Sequence, residues 1–176
     1  MRYESLSQSG ICVGHAACNP IPVPPLGGLS HKAPIPFSRM PTKIKCLESE
    51  LLQHRNEKSV VFSSWTSTFD LIEFMLNTSQ ITYVLIDGKA SQRDRATALA
   101  DFQTNTEIQV MLLSIFCGAE GLNITAASRV YLMEPQWNPN VESQAFARVH
   151  RLGQTREVTT TTFIMNNSIE NVRIPY

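Results

Sequence analysis

Apolar residues recur along the chain in two alternating patterns, one typical of helices and one typical of buried strands. Helical spacing predicts helices over 42–56, 66–77, 91–103 and 138–152. Short continuous apolar runs predict strands over 58–64, 81–87, 108–114, 128–134 and 158–165. Because a strand that is buried on both faces has no polar alternation, these runs indicate a sheet with helices on both sides.

The alternation of strands with helical segments predicts the fold class. We expect an α/β protein with a doubly wound parallel sheet of about five or more strands and helices on both faces. In such sheets ligands bind beyond the carboxyl ends of the strands. Those ends are predicted at residues 63–65, 87–89, 114 and 134–137.

The first forty residues differ from the rest in composition. Residues 1–38 hold six of the ten prolines and only three Asp, Glu, Lys or Arg residues. Proline fixes φ and removes a backbone donor, so this stretch is typical of a linker. We therefore predict a disordered lead-in over 1–40, a folded domain over 41–170 and a truncated tail over 171–176.

Composition and charge exclude several classes of protein. Lys plus Arg and Asp plus Glu number 15 each, which rules out a uniformly basic coat but leaves room for a local basic patch. The four cysteines show no CxxC spacing, so we expect reduced intracellular thiols and no metal site. No apolar run reaches the roughly 18 residues of a membrane helix, so we expect no membrane partner.

The helix predicted over 138–152 carries the chain's densest cationic group. Its packed face is predicted to hold Val141, Ala145, Val149 and Leu152. Gln144, Arg148 and Arg151 fall on a second face about 90° away, at the rim of the packed face. Two planar, bidentate guanidinium groups suit the oxygens of a polyphosphate. The alternative is an ordinary solvated helix face whose arginines pair with Glu142 or Glu157.

A glycine-punctuated loop, "CGAEGLNIT" over 117–125, adds a second candidate element. Gly118 and Gly121 let the backbone approach a ligand closely. The sequence has no Gly-x-x-x-x-Gly-Lys-Ser/Thr phosphate loop and no Asp-Glu-x-His magnesium box. The chain therefore has residues that suit contact with a nucleotide phosphate, without the parts that would cradle the triphosphate.

Together these segments resemble one family. "VVFSSW", "GAEGLN", "WNP" and "QAFARVHRLGQ" follow one another as in the C-terminal RecA-like lobe of Swi/Snf-type DNA-dependent ATPases of helicase superfamily two. The resemblance extends over residues 42–170 and implies a RecA-like fold. "MEPQWNP" and "RVHRLGQTREV" are most similar to fungal helicase-like-transcription-factor and postreplication-repair members.

The resemblance implies an active site shared between two lobes. In the family, an N-terminal RecA-like lobe binds ATP and Mg and supplies the general base, and the C-terminal lobe closes over the nucleotide. By position, Arg148 and Arg151 are the arginine fingers, and Gln144, Gly118 and Gly121 are the nucleotide-facing residues. This chain lacks the N-terminal lobe, so we expect it to be inactive alone.

The resemblance also implies contact with the backbone of double-stranded DNA. The positions that correspond to the DNA track are Ser63, Ser64, Trp65, Lys89, Ser114 and Asn123. Contacts to phosphate are independent of sequence. Chromatin or repair proteins are further expected partners, and the family implies a nuclear location.

Two departures leave other functions open. Phe116 and Glu120 stand where the family usually has a polar residue and a small or apolar residue. The missing ATP-binding lobe leaves a non-catalytic remnant that only binds DNA or a partner as one alternative, and a truncated or mis-spliced gene product is a separate interpretation. An RNA helicase lobe is another, although Gln154 stands where RNA helicases usually have a third arginine.

Overall fold

The computed structural model describes residues 3–6, 11–18, 40–88, 90–119 and 122–170 of the chain. In the first two ranges only the course of the backbone is described. The strands of the described residues are β1 (Tyr3–Leu6), β2 (Ile11–Cys18), β3 (Ser59–Ser63), β4 (Tyr83–Ile86), β5 (Val110–Ser114), β6 (Arg129–Leu132) and β7 (Val158–Met165). The helices are α1 (Thr42–Gln53), α2 (Thr66–Thr78), α3 (Gln92–Thr104) and α4 (Pro139–Phe146), with a short 3₁₀ helix over Ile115–Ala119.

The strands form one sheet in the order β1-β2-β7-β6-β3-β5-β4. All five strands that the apolar runs predicted are present, and they pair in parallel. The carboxyl ends of these strands therefore lie at one edge of the sheet. The predicted doubly wound α/β fold is confirmed.

Alternating strand residues divide the core into two layers, one on each face of the sheet. Phe62 and Phe102 lie in the layer beneath α3 and α4. Tyr131 and Phe163 stack with ring centroids 5.9 Å apart in the layer beneath α1 and α2. Burying each such large apolar side chain contributes about 1.5–3 kcal/mol, so both layers of helices are held by the same physical force.

The starts of α3 and α4 follow the signals in the sequence. Ser91 caps α3, since its hydroxyl accepts from the Asp94 N–H at 3.2 Å and donates to that residue's carboxylate at 2.7 Å. Asn138 caps α4 by accepting from the Asn140 N–H at 3.0 Å, and Pro139 occupies the first helical position. Local sequence thus fixes where both helices begin.

In two stretches of the predicted disordered lead-in the structure instead has strands, β1 and β2. The longer one, β2, runs parallel to β7 and pairs with it over eight residues, from Ile11–Val158 to Cys18–Met165. An unpaired sheet edge exposes N–H and C=O groups, and the added strand satisfies them. The lead-in over 1–40 as a whole stays a prediction, since residues 1–2, 7–10 and 19–39 lie outside the described ranges.

None of the helices in the described residues is long and apolar enough to cross a membrane.

Glu57 links two segments at the amino ends of the strands. Its carboxylate accepts a hydrogen bond from the Ser128 hydroxyl at 2.7 Å and from Arg129 Nε at 3.0 Å. Burial raises the pKa of Glu57, but the hydrogen bonds from Ser128 and Arg129 and the charges of Arg129 and His54 outweigh it. The net effect is a lowered pKa.

This lowered pKa predicts how stability depends on pH. A carboxyl group whose pKa is lower in the folded state stabilises the fold above its unfolded pKa, about 4.5, and this contribution is lost as the pH falls through the folded pKa. We expect Glu57→Gln to reduce the free energy of unfolding at pH 7 and to flatten its decline between pH 5 and about 3. Urea unfolding of both proteins across this range measures the effect, and parallel curves would contradict it.

Candidate nucleotide and DNA interface

The carboxyl ends of β3 and β6 are joined by the carboxylate of Glu134. It accepts hydrogen bonds from the Ser63 hydroxyl at 3.0 Å, the Ser64 N–H at 3.0 Å and the Thr68 hydroxyl at 3.1 Å. The Ser63 oxygen also accepts from the Trp65 N–H at 3.1 Å. Ser63 is fully buried, so its hydroxyl organises this edge from within.

Gln136 makes a second link between the same two loops. Its side-chain amide donates to the Ser64 hydroxyl at 2.8 Å and to the Glu134 carbonyl at 2.9 Å. Its own N–H donates to Glu142 Oε1 at 2.6 Å, which ties the loop to the first turn of α4. Burial raises the pKa of Glu142, and the hydrogen bond from Gln136 only partly offsets it. Residues 63–65 and 134–137 therefore form one connected unit, the strand-end platform.

Three aromatic side chains are exposed at the carboxyl ends of the strands. Trp65, Phe116 and Trp137 are 64%, 67% and 74% exposed and follow β3, β5 and β6. Large exposed aromatic side chains that share one edge of a sheet are typical of interaction surfaces. The sequence interpretation included Trp65 but missed Phe116 and Trp137 as candidates. Their positions directly after apolar strands were the signal that could have found them.

The predicted helix over 138–152 is shorter than expected, because α4 ends at Phe146. Ala145 and Val149 are buried as predicted, but Leu152 is 98% exposed and does not lie on the sheet. Beyond α4 the backbone closes in tight turns, with the Arg148 N–H on the Ala145 carbonyl and the Arg151 N–H on the Val149 carbonyl, both at 3.2 Å. The His150 N–H still bonds to the Phe146 carbonyl at 2.9 Å, but the Arg151 bond spans only two residues. The helical rotation ends there, so a helical wheel places Leu152 wrongly.

Arg148 and Arg151 therefore lie on a turn rather than on the helix, and we call residues 147–151 the arginine turn. Arg148 is half-buried and Arg151 is exposed. Burial lowers the pKa of Arg148, and the charge of Arg151 lowers it further. Among the described residues no carboxylate forms an ion pair with Arg148, and Glu142 bonds to Gln136 instead. Two adjacent cations, of which Arg148 is partly desolvated, are suited to an anion with more than one charge.

The loop over 122–127 lies against the arginine turn. The Ile124 N–H donates to the Arg148 carbonyl at 3.1 Å. Asn123 is exposed, and its carbonyl accepts from the side-chain amide of Gln103 at 2.9 Å. The structure thus brings the end of the predicted glycine loop to the predicted phosphate clamp.

Of the remaining predicted site residues, four lie in the described part of the chain and two lie outside it. Ser64 and Ser114 are half-buried and Gln144 is exposed, whereas Gly118 lies in the 3₁₀ helix before the loop. Lys89 and Gly121 lie outside the described residues.

Gly153 turns the chain back after the arginine turn. Its φ is +104°, which L side chains rarely adopt, and the turn lets the Gln154 N–H bond to the Arg151 carbonyl at 2.9 Å. No atom lies within 4 Å of a Cβ built there, so backbone strain is the main cost of a side chain.

We expect Gly153→Ala to lower the free energy of unfolding by about 1–2 kcal/mol, because alanine pays the strain of positive φ. Gly88→Ala is the matched control, since a Cβ there meets only the Cys117 sulfur at an ordinary 4.0 Å. Denaturant unfolding of both variants measures the difference. Equal losses of stability would show that φ does not set the cost.

Comparison with known proteins identifies the family. The profile of the helicase conserved C-terminal domain matches residues 42–153, which is more than half of the chain. The chain belongs to the helicase C-terminal domain family. The strand-end platform and the arginine turn both lie within the matched residues.

Individual relatives narrow the branch to the Swi/Snf type. The chain is 42% identical over 133 residues to DNA repair protein RAD5B of Arabidopsis thaliana, covering 76% of this chain and 10% of the relative. It is 47% identical over 118 residues to helicase-like transcription factor of Homo sapiens, covering 65% and 12%. The resemblance to helicase-like-transcription-factor and postreplication-repair members is confirmed. The chain spans only about a tenth of the length of these two relatives.

A solved structure shows the same fold. The C-terminal part of the Fun30 ATPase domain superposes with a TM-score of 0.73 at 32% identity, covering 76% of this chain and 44% of the other. The RecA-like fold is therefore shown by both sequence and structure. Within the described residues no group of three or more His, Cys, Asp or Glu side chains is arranged to hold a metal ion.

Proposed function

We propose that the chain is the C-terminal lobe of an ATP-dependent double-stranded-DNA translocase of the DNA repair or remodelling type. The arginine turn is the observation that carries this proposal. Arg148 and Arg151 lie side by side, and the charge of the half-buried Arg148 has no carboxylate partner among the described residues. Such a pair is the counterpart that an ATP phosphate chain requires.

ATP and Mg would be held mainly by an N-terminal lobe, and Mg would neutralise charge on the phosphates. In this proposal Arg151, the more exposed of the two, reaches the transferring phosphoryl group, and Arg148 supports it. Gln144 and the backbone near Gly118 and Gly121 complete the nucleotide-facing side. Arginines placed this way stabilise charge that develops in the transition state.

The strand-end platform would face the DNA backbone. Ser64 and Trp65 on the platform, together with Ser114, Asn123 and Lys89, form the proposed contact set. Ser63 belongs to it only as the buried support of its neighbours, since its hydroxyl is bonded to Glu134. The exposed Trp137 extends the set, because its ring can lie against the sugar–phosphate backbone. Contacts of this kind bind without regard to sequence and weaken with salt.

The relatives' names, DNA repair protein and helicase-like transcription factor, support a nuclear role with repair or chromatin partners. For this chain that role is part of the proposal.

ATP hydrolysis tests the proposal. The chain is mixed with a separately expressed N-terminal lobe from a Swi/Snf-type ATPase, and hydrolysis is measured with and without duplex DNA. We expect activity above that of either piece alone and stimulation by duplex DNA. DNA binding without any rescued hydrolysis would support a non-catalytic fragment instead, and stimulation by RNA rather than DNA would support an RNA helicase lobe.

A further inference from the structure

The side-chain amide of Gln154 joins the arginine turn to the neighbouring loop. Its nitrogen donates to the Ala127 carbonyl at 2.8 Å, to the Thr125 carbonyl at 3.1 Å and, more weakly, to the Val149 carbonyl at 3.4 Å. Its oxygen accepts from the Arg156 N–H at 3.0 Å. Both polar atoms of one half-buried side chain are thus used, and all four partners are backbone groups.

These bonds matter because the arginine turn lies outside α4. A residue within a helix is positioned by the helix itself, whereas residues 147–151 have only the last turn of α4 behind them and depend also on the contacts around them. The Gln154 amide supplies one such set of contacts and the Ile124–Arg148 backbone bond supplies another. Both sets join the turn to the loop over 122–127.

We infer that Gln154 is a positioning residue that fixes the arginine turn relative to the loop over 122–127. This inference rests on the proposed function and deepens it, because in that proposal the turn carries the arginines that meet the nucleotide and the loop carries Asn123 of the DNA contact set. Gln154 touches neither phosphate nor metal itself. It fixes the position of the arginine turn against the loop, so that the guanidinium groups are held where the phosphate chain meets them.

The chemistry of the site requires an amide at this position. Glutamate at position 154 would place an anionic oxygen against two carbonyl oxygens, and arginine there would remove the acceptor for the Arg156 N–H. Methionine would remove every polar contact of the side chain while keeping a similar volume. A displacement of the arginines by about 1 Å can cost about 100-fold in rate. A positioning role is therefore separable from a role in binding ATP.

Gln154→Met and the milder Gln154→Asn test the inference in the 176-residue chain. Gln103→Met is the matched control, since Gln103 also donates its amide to this loop, at the Asn123 carbonyl, but not to the arginine turn. Hydrogen exchange at the Ile124 amide should be about tenfold faster in Gln154→Met, which corresponds to the loss of one ordinary hydrogen bond. Gln154→Asn should show a smaller increase. Gln103→Met loses a bond to the carbonyl of the same peptide group as the Ile124 N–H, so it is the control for kcat and not for exchange.

The two-lobe hydrolysis assay adds a kinetic readout. We expect kcat for Gln154→Met to fall about 10–100-fold with little change in KM for ATP, and we expect Gln103→Met to retain the wild-type kcat. Wild-type kcat in Gln154→Met, alongside an inactive Arg151→Ala, would overturn the inference and leave the proposed function intact. If the wild-type chain does not restore hydrolysis to the N-terminal lobe, the proposed function fails, and hydrogen exchange alone tests the inference. Unchanged exchange at the Ile124 amide in Gln154→Met would then show that Gln154 does not hold the arginine turn to the loop.

Discussion

Replacing Arg151 with alanine is expected to abolish the ATP hydrolysis that, in the proposed function, this chain restores to an N-terminal lobe. A guanidinium group that meets the transferring phosphoryl stabilises charge that exists mainly in the transition state, and its loss costs about 10³–10⁵ in rate in comparable enzymes. Alanine leaves the backbone of the arginine turn in place. The effect should therefore fall on kcat, with stability nearly unchanged.

Arg156→Ala is the control for this experiment. Arg156 is exposed and close in sequence, but its charge acts on Lys58, which precedes β3 at the amino end of the sheet. Its charge therefore acts at the amino-end edge of the sheet, opposite the strand-end platform. We expect Arg156→Ala to keep wild-type kcat, measured in the same assay with duplex DNA. Equal rescue by Arg151→Ala and the wild type would remove the arginine-finger role.

Glu134→Ala is expected to have the largest effect on stability among the site variants. It removes the common acceptor of Ser63, Ser64 and Thr68, and it leaves the fully buried Ser63 hydroxyl without its carboxylate partner. Hydrogen bonds to charged groups contribute about 1.5–3 kcal/mol each, and they are not additive. We expect a loss of about 3 kcal/mol in the free energy of unfolding, measured in urea.

The same substitution should weaken DNA stimulation of hydrolysis. Without Glu134 the loops that carry Trp65 and Trp137 lose their shared carboxylate anchor, so the platform is no longer fixed in one shape. Glu107→Ala is the control, since Glu107 is exposed and lies before β5 on the opposite edge. Wild-type stability in Glu134→Ala would show that the serine donors find other acceptors.

The sequence was most informative where one physical effect decides the structure. Continuous apolar runs predicted all five parallel strands, because burial between two layers of helices leaves no polar alternation. Ser91 and Asn138 predicted two helix starts, because capping depends on neighbours only a few residues away. In both cases the deciding contacts are local or repeat regularly.

The candidate site was predicted only in part. The helical wheel assumed a helix through Leu152, and no Pro or Gly before Gly153 signals the end of α4 at Phe146. The role of the two arginines stays a prediction. The Glu134 network joins groups 66–71 residues apart, and no spacing rule along the chain connects them. In the sequence, Gln154 served only to distinguish this chain from RNA helicase lobes. Its inferred positioning role depends on carbonyl groups up to 29 residues away, which the sequence does not reveal.

The bond between Gln136 and Glu142 gives α4 a mechanical role. At about 1.5 Å per residue, this eight-residue helix is a rod roughly 12 Å long. The strand-end platform is attached to its first turn by the Gln136 N–H, and the arginine turn follows its last. In the proposed function, α4 thereby connects the duplex contact at the Trp137 loop to the phosphate contact at the arginine turn.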